Sequence, residues 1–350
     1  MVAPYEHTPV LLGPVLEALA PQAEGRYIDA TVGGGGHAAG ILERSAPDGL
    51  LLGIDRDPEA LALARRRLAP FGQRALLVQG DYARLGEIAR QHGFFPAQGV
   101  LFDLGVASFQ LASQRGFSFQ VDAPLDMRYD PASGPTASEL LATLGEDELA
   151  ELLWRYGEEP SARRIARRIV QVRERTPIRT TAQLARLVAD VVGGRRRRIH
   201  PATQTFMALR IAVNKELERL PQGLADATEL LAPGGRLVVL TFHSLEDRLV
   251  KEFMRRESGS CDWPDDLPVE ACPHLVPVQP GPRPCRSLRS ASCARPARLR
   301  ILGRARKADA EEIQRNPRAR SVRMRVAERC PVLPETSRGA GKPTNAPYGP

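Results

Sequence analysis

RYIDATVGGGGHAAGILERSAPDGLLLGIDRDP, residues 26–58, holds the pattern that decides the fold. A short strand candidate (26–30) runs into a glycine loop, TVGGGGH, and then into the helical segment AAGILERS. LLLGID (50–55) is a continuous apolar run closed by an acid, as expected of a strand buried on both faces. Asp57 and Pro58 then supply an N-cap and a first-turn proline for a helix over 58–68. Strand, loop, helix and strand in this order predict a βαβ unit of parallel sheet with a right-handed crossover.

Working outward, further strands are expected at 75–79 and 100–104. From about 109 to 213 the strand signal disappears and amphipathic helices take over, at 146–156, 161–175, 181–192 and 201–220. The second of these puts Ile165, Ile169 and Val172 on one face and Arg163, Arg164, Arg167 and Arg168 around the other. Strand character returns in LLAPGGRLVVLTFHS (230–244), about 130 residues after the fourth strand, where one crossover needs a dozen or so. The economical reading is an α/β domain, 1–108 and 214–330, interrupted by a helical insert over 109–213. Residues 261–296 read as loop, 297–302 and 322–327 as a final strand pair, and 331–350 as a disordered tail.

The 350 residues are 43% hydrophobic and 26% charged, an ordinary balance that allows a sizeable core. No run of 18 apolar residues exists, and the start lacks a basic segment followed by an apolar one, so a soluble, cytosolic protein is expected. Five cysteines make no disulfide framework. Four of them (Cys261, Cys272, Cys285, Cys293) lie near His274 without a CxxC pair, so free thiols and no metal are expected. The net charge of +8 is uneven: −3 over 1–110, +4 over 111–213, −1 over 214–260 and +8 over 261–350. Such clustering predicts a surface that meets a polyanion, most simply nucleic acid, with Arg195 to Arg198, Arg318 and Arg320 as phosphate contacts.

Gly34-x-Gly36-x-x-Ala39 formally matches the dinucleotide fingerprint, and Asp55, 19 residues beyond Gly36, stands where a ribose diol would donate to it. NAD and S-adenosylmethionine both satisfy that spacing. Asp29, four residues before Gly33, would repel a pyrophosphate and attract the ammonium of a methionine moiety, which favours S-adenosylmethionine. Asp103 ends the fourth strand, at the sheet edge where parallel sheets hold their ligands, and is the candidate acceptor for an amine N–H. Tyr82 is a candidate partner for adenine, Phe109 or Phe242 for a target base, and His243 is a weaker catalytic candidate facing the same cleft.

The ordered motifs HTPVLL (7–12), DATVGGGGH (29–37), GIDRDP (53–58), DLGVAS (103–108), RGFSF (115–119), APLDMR (123–128), YGEE (156–159), HPAT (200–203), ALRIAVNKEL (208–217), FHSLEDR (242–248) and NPRARS (316–321) closely resemble those of the bacterial MraW/RsmH ribosomal RNA small-subunit methyltransferases. The resemblance implies a class I, Rossmann-like S-adenosylmethionine methyltransferase sheet with an inserted all-helical substrate domain. It implies transfer of methyl to N4 of a cytidine in the decoding region of 16S ribosomal RNA, within the small ribosomal subunit. Carried over by motif, the cofactor positions are Gly35, Gly36, His37, Asp55, Tyr82, Asp103 and Gln110. A catalytically inactive ribosome-assembly RNA-binding protein on the same fold is the competing expectation.

Overall fold

The computed structural model describes residues 9–193, 200–259, 275–277, 291–293 and 297–331. Its main sheet contains β1 (Arg26–Asp29), β2 (Leu50–Asp55), β3 (Ala75–Gln79), β4 (Ala97–Asp103), β5 (Leu231–Thr241), β8 (Leu299–Ile301) and β9 (Arg323–Arg329). Their spatial order is β3-β2-β1-β4-β5-β9-β8. The first five strands run parallel, and β9 lies antiparallel to both β5 and β8. β1 pairs with β2 on one side and β4 on the other, so strand order reverses between β1 and β4. That reversal opens a crevice at the carboxyl ends of the strands. β6 (Leu275–Pro277) and β7 (Ala291–Cys293) form a separate antiparallel ribbon within the stretch read as loop.

Alternation along the strands divides the core into two layers. In β2, Leu51 joins one apolar cluster while Leu52 and Ile54 join the other. The first is covered by α1 (Leu12–Leu19), α2 (Gly36–Arg44) and α3 (Pro58–Leu68), through Leu16, Ile41 and Leu61. The second is covered by α4 (Leu85–Gln91), α11 (Glu216–Leu230) and α12 (Ser244–Glu257), through Leu85, Leu224 and Val250. Each such side chain contributes roughly 1.5–3 kcal/mol by leaving water. The Asp57 cap of α3 forms as expected, accepting from the Glu59 amide at 2.9 Å.

Between β4 and β5 lie α5 (Ser108–Ala112), α6 (Ala137–Thr143), α7 (Glu146–Gly157), α8 (Ala162–Arg173), α9 (Thr181–Val192) and α10 (Thr203–Asn214). They gather a third apolar cluster that includes Leu153, Ile165, Ile169, Leu184 and Leu209. On α8 the arginine face is exposed and Ile165 and Ile169 are fully buried, as the periodicity requires. A capping box opens α9: the Gln183 side chain accepts from the Thr180 amide at 3.1 Å and Thr180 Oγ1 from the Gln183 amide at 3.4 Å.

The expected helix over 201–220 is instead two helices. α10 stops at Asn214, Lys215 adopts φ 52°, and α11 starts at Glu216. The Asn214 carbonyl accepts from Arg56 Nη1 at 3.0 Å, so a bond to the sheet replaces the next rung of the helix. A one-residue break leaves no trace in hydrophobic periodicity. The final strand pair appears as β8 and β9. Arg195 to Arg198, Cys261, Cys272, Cys285, His274 and the segment 332–350 lie outside the described residues. Among the described residues no helix is long and apolar enough to cross a membrane.

Candidate active site

A cavity of about 510 Å³ opens at the carboxyl ends of β1, β2, β4 and β5, within the range of small-molecule sites. One wall comes from Gly33, Gly34, Gly36, Asp55 and Tyr82. The facing wall comes from Tyr129, Arg210, Glu216, Phe242 and Glu246, and Asp103 also lines the cavity.

The first wall is built almost entirely by the 26–58 segment. Asp55 ends β2 and accepts from the Gly33 amide through Oδ2 and the Asp57 amide through Oδ1, both at 2.9 Å. Burial pushes its carboxyl up to about 6 despite those two bonds. A Cβ on Gly36 would collide with the Pro9 ring, so the close approach of the segment around Pro9 requires glycine there. Gly35, expected at the cofactor, turns away from the cavity. Its φ is 78°, and a Cβ would sit 3.3 Å from Ala64 Cα, so it serves the packing of the loop on α3.

His37 lines the cavity, but both of its ring nitrogens face protein partners. Nε2 meets the Val10 carbonyl at 2.9 Å and Nδ1 lies 3.4 Å from Asp103 Oδ2. Burial pulls the imidazole pKa down, and the hydrogen bond and charge of Asp103 outweigh it, leaving a net rise. Asp103 is thereby oriented from two sides, since Thr31 Oγ1 also accepts from its amide at 2.6 Å. Its Oδ1 is buried and has no hydrogen-bond partner among the described residues. A lone carboxylate oxygen in a cavity suits an N–H donor from a ligand.

Asp29 does not reach the cavity. It is 1% exposed, accepts from the Thr31 amide at 3.2 Å, and is pushed up to about 7 by burial. The acid expected at the methionine ammonium is therefore off the cavity, whereas Asp103, expected at the carboxyl edge of the sheet, lines it and presents a free acceptor. Tyr82 lines the cavity, its ring edge-on to Phe102 and its hydroxyl donating to the Glu216 carbonyl at 3.3 Å. Burial raises its phenol pKa, so the ring stays neutral. Gln110 is also at the cavity, with both side-chain atoms engaged: Oε1 accepts from Ala107 N at 2.8 Å and Nε2 donates to Asp57 Oδ2 at 2.7 Å.

Of the second wall, only Phe242 is expected from the sequence; Tyr129, Arg210, Glu216 and Glu246 are not. Arg210, on α10, forks onto both oxygens of Glu216, the first residue of α11, at 2.9 Å each. The Tyr129 hydroxyl lies 3.2 Å from the Gly105 carbonyl and 3.3 Å from Glu216 Oε1. Glu246 Oε2 accepts from the Phe242 amide at 2.9 Å. Burial raises the Glu246 carboxyl, but His243, Arg210 and that amide together bring it below its usual value. The Phe242 ring stands beside Gly105, and Phe109 also lines the cavity, so both expected aromatics are in reach of a base.

His243 does not face this cavity. It caps α12, with Nδ1 accepting from the Glu246 amide at 3.4 Å and Nε2 lying 3.0 Å from Glu246 Oε1, and it lines a neighbouring groove. Glu216, His243 and Glu246 bring possible ligand atoms within 4.8 Å of one another. The Arg210 guanidinium already supplies positive charge to that carboxylate pair.

The GIDRDP motif does more than hold Asp55. Arg56 reaches the Asn214 carbonyl, and Asp57 Oδ2 accepts from both Gln110 and Arg115. Asn214 in turn donates to the Met127 carbonyl at 2.7 Å and accepts from the Tyr129 amide at 2.9 Å. Three consecutive residues thus join the cavity-lining acid at the end of β2 to the segments that follow β4.

A family model described as the MraW methylase family matches residues 4–330. The chain belongs to that family. It is 55% identical over 325 residues to the ribosomal RNA small subunit methyltransferase H of Thermomicrobium roseum, covering 92% of this chain and 93% of that protein. The proteins of the same name from Dehalococcoides mccartyi and Syntrophotalea carbinolica are 47% and 48% identical, each over 93% of this chain and over 87% and 98% of their own lengths. Within this methylase the arginines of NPRARS part company. Arg318 stands at the cavity and Arg320 in the neighbouring groove.

Proposed function

We propose that this chain is an S-adenosylmethionine-dependent ribosomal RNA methyltransferase that methylates N4 of a cytidine in the decoding region of 16S ribosomal RNA, within the small ribosomal subunit. The relatives' names support the RNA class, and the observation that carries the chemistry is Asp103, held by His37 and Thr31 with Oδ1 left free in the cavity.

The residues fit the cofactor. Asp55 is placed for the ribose hydroxyls, Tyr82 for the adenine face, and the glycine loop for close backbone approach. Bound there, S-adenosylmethionine supplies an electrophilic methyl group on a sulfonium. A cytosine amine is a weak nucleophile because its lone pair is delocalised into the ring, so alignment is the main requirement, worth about 7–11 kcal/mol at best. Asp103 accepts one N–H of the amine and so fixes the direction of its lone pair. As the nitrogen–carbon bond formed, the sulfur–methyl bond would break with its electron pair left on sulfur, the nitrogen would acquire positive charge, and Asp103 would take the surplus proton. His37 is a positioning residue, acting on the reaction through Asp103. Phe242 and Phe109 flank the base, which has to be unpaired to present its amine. The helical segment 109–213, tied to the sheet by Arg56 and Asp57, serves as the substrate-recognition domain.

Labelled methyl transfer to small subunits lacking the modification tests this reading. Label in 16S RNA is expected. Tight cofactor binding without transfer to assembled or partly assembled subunits would contradict it and favour the inactive RNA-binding alternative.

A further inference from the structure

A second groove runs beside the cavity and shares Phe242 and Ser321 with it. Its walls are the first turns of α12, the segment before α13 (Ala310–Arg315), and the turn Pro317–Ser321 that leads into β9. It carries five cations, Arg248, Lys251, Lys307, Arg320 and Arg323, against one acid, Asp247. That acid is already neutralised: Arg325 forks onto it at 2.7 and 3.0 Å, and Arg323 lies 3.6 Å away. Arg248 meets Glu158 at 3.3 Å in an exposed pair, which is worth little.

Lys251, Lys307 and Arg320 are exposed and have no acidic partner among the described residues. Like charges gathered in one groove repel each other, a cost that stability alone gives no reason to carry. The chain has only four lysines, and two of them stand here. A lysine ammonium is a compact point charge that meets phosphate oxygens without demanding a planar partner.

We infer that this groove holds the phosphates of single-stranded RNA flanking the target nucleotide. The inference rests on the proposed function and adds where the strand lies. The base enters the cavity past Phe242, and the backbone stays outside at the shared rim of Phe242 and Ser321. Three unpaired cations on three separate segments suit a chain of repeated charges better than one compact phosphate. The groove belongs to the sheet body rather than to the helices between β4 and β5, so RNA is gripped on both sides of the cavity mouth.

The test is a triple variant, Lys251→Ser, Lys307→Ser and Arg320→Ser, with Arg44→Ser, Arg65→Ser and Arg66→Ser on α2 and α3 as the charge-matched control. Affinity for a short fluorescent single-stranded RNA is measured by anisotropy across a salt series, and S-adenosylmethionine binding by calorimetry. Loss of three phosphate contacts should make the log–log salt slope shallower by about 2, at about 0.7 per contact, with cofactor affinity unchanged. The control should keep the wild-type slope. An unchanged slope in the triple variant, an equal change in the control, or no RNA binding by the wild-type protein would overturn the inference. Wild-type methyl transfer alongside an unchanged triple-variant slope would sink the groove alone. RNA binding through the groove without methyl transfer would sink the proposed function and leave the groove standing.

Discussion

The two walls of the cavity are built in opposite ways. The glycine-loop wall is largely local: Gly33, Gly36, His37 and Asp55 come from one stretch of 23 residues, with Tyr82 from farther along, and two backbone amides hold Asp55. The facing wall joins Tyr129, Arg210, Glu216, Phe242 and Glu246 from distant parts of the chain, through charged side chains with few backbone contacts. A small, invariant ligand suits a rigid local frame. A wall assembled from several elements depends on buried ion pairs, whose partners fail together.

Breaking the junction of the two walls should have the largest effect. Asp103→Asn removes the acceptor and should lower kcat roughly 10²- to 10⁴-fold in a single-turnover transfer assay, while circular dichroism and melting stay close to wild type. His37→Gln should lose part of that rate and shift its pH profile, because His37 acts by orienting Asp103.

The facing wall should fail through stability. Glu216→Leu leaves Arg210 buried without its partner and should cost roughly 3–5 kcal/mol in chemical unfolding. Adding Arg210→Met should restore most of that stability without restoring methyl transfer. A double variant as unstable as the single one would mean that the pair does not act as a unit.

In the glycine loop, Gly35→Ala should cost about 1–3 kcal/mol of stability, through its left-handed backbone and its contact with Ala64. The smallest effect is a pH dependence. Asp55 is raised to about 6 by burial, so it becomes protonated as pH falls below that value and loses its acceptor strength towards a ribose hydroxyl. Cofactor affinity measured by calorimetry should therefore drop about tenfold from pH 7 to pH 5, and Asp55→Asn should flatten the profile.

The contrast between the walls also explains what was legible in the sequence. Strand, loop and cap signals act over a few residues, so β2, α3, β3 and α9 stand where the pattern put them. Asp55 and Tyr82 line the cavity as expected of residues at or just after the carboxyl ends of parallel strands. Asp29 and Asp103 are both strand-end acids expected at the crevice; Asp103 lines it, whereas Asp29 is buried away from it, a difference that spacing does not carry. The Arg210–Glu216 fork depends on a single αL residue, Lys215, and the Arg56–Asn214 and Asp57–Arg115 links span 158 and 58 positions. Those residues lie within motifs that were noticed, ALRIAVNKEL, GIDRDP and RGFSF, but a motif gives no partner until the fold supplies one. His243 followed the fifth strand as expected and was claimed instead by the start of α12.

In the proposed mechanism the two walls meet at Asp103 around a cytosine amine. Nucleoside mass spectrometry of 16S RNA, taken from unmodified small subunits incubated with S-adenosylmethionine and the wild-type protein or Asp103→Asn, tests it most directly. New N4-methylcytidine is expected with the wild-type protein and almost none with the variant. A methyl group on another atom or base, or equal product from the variant, would contradict it.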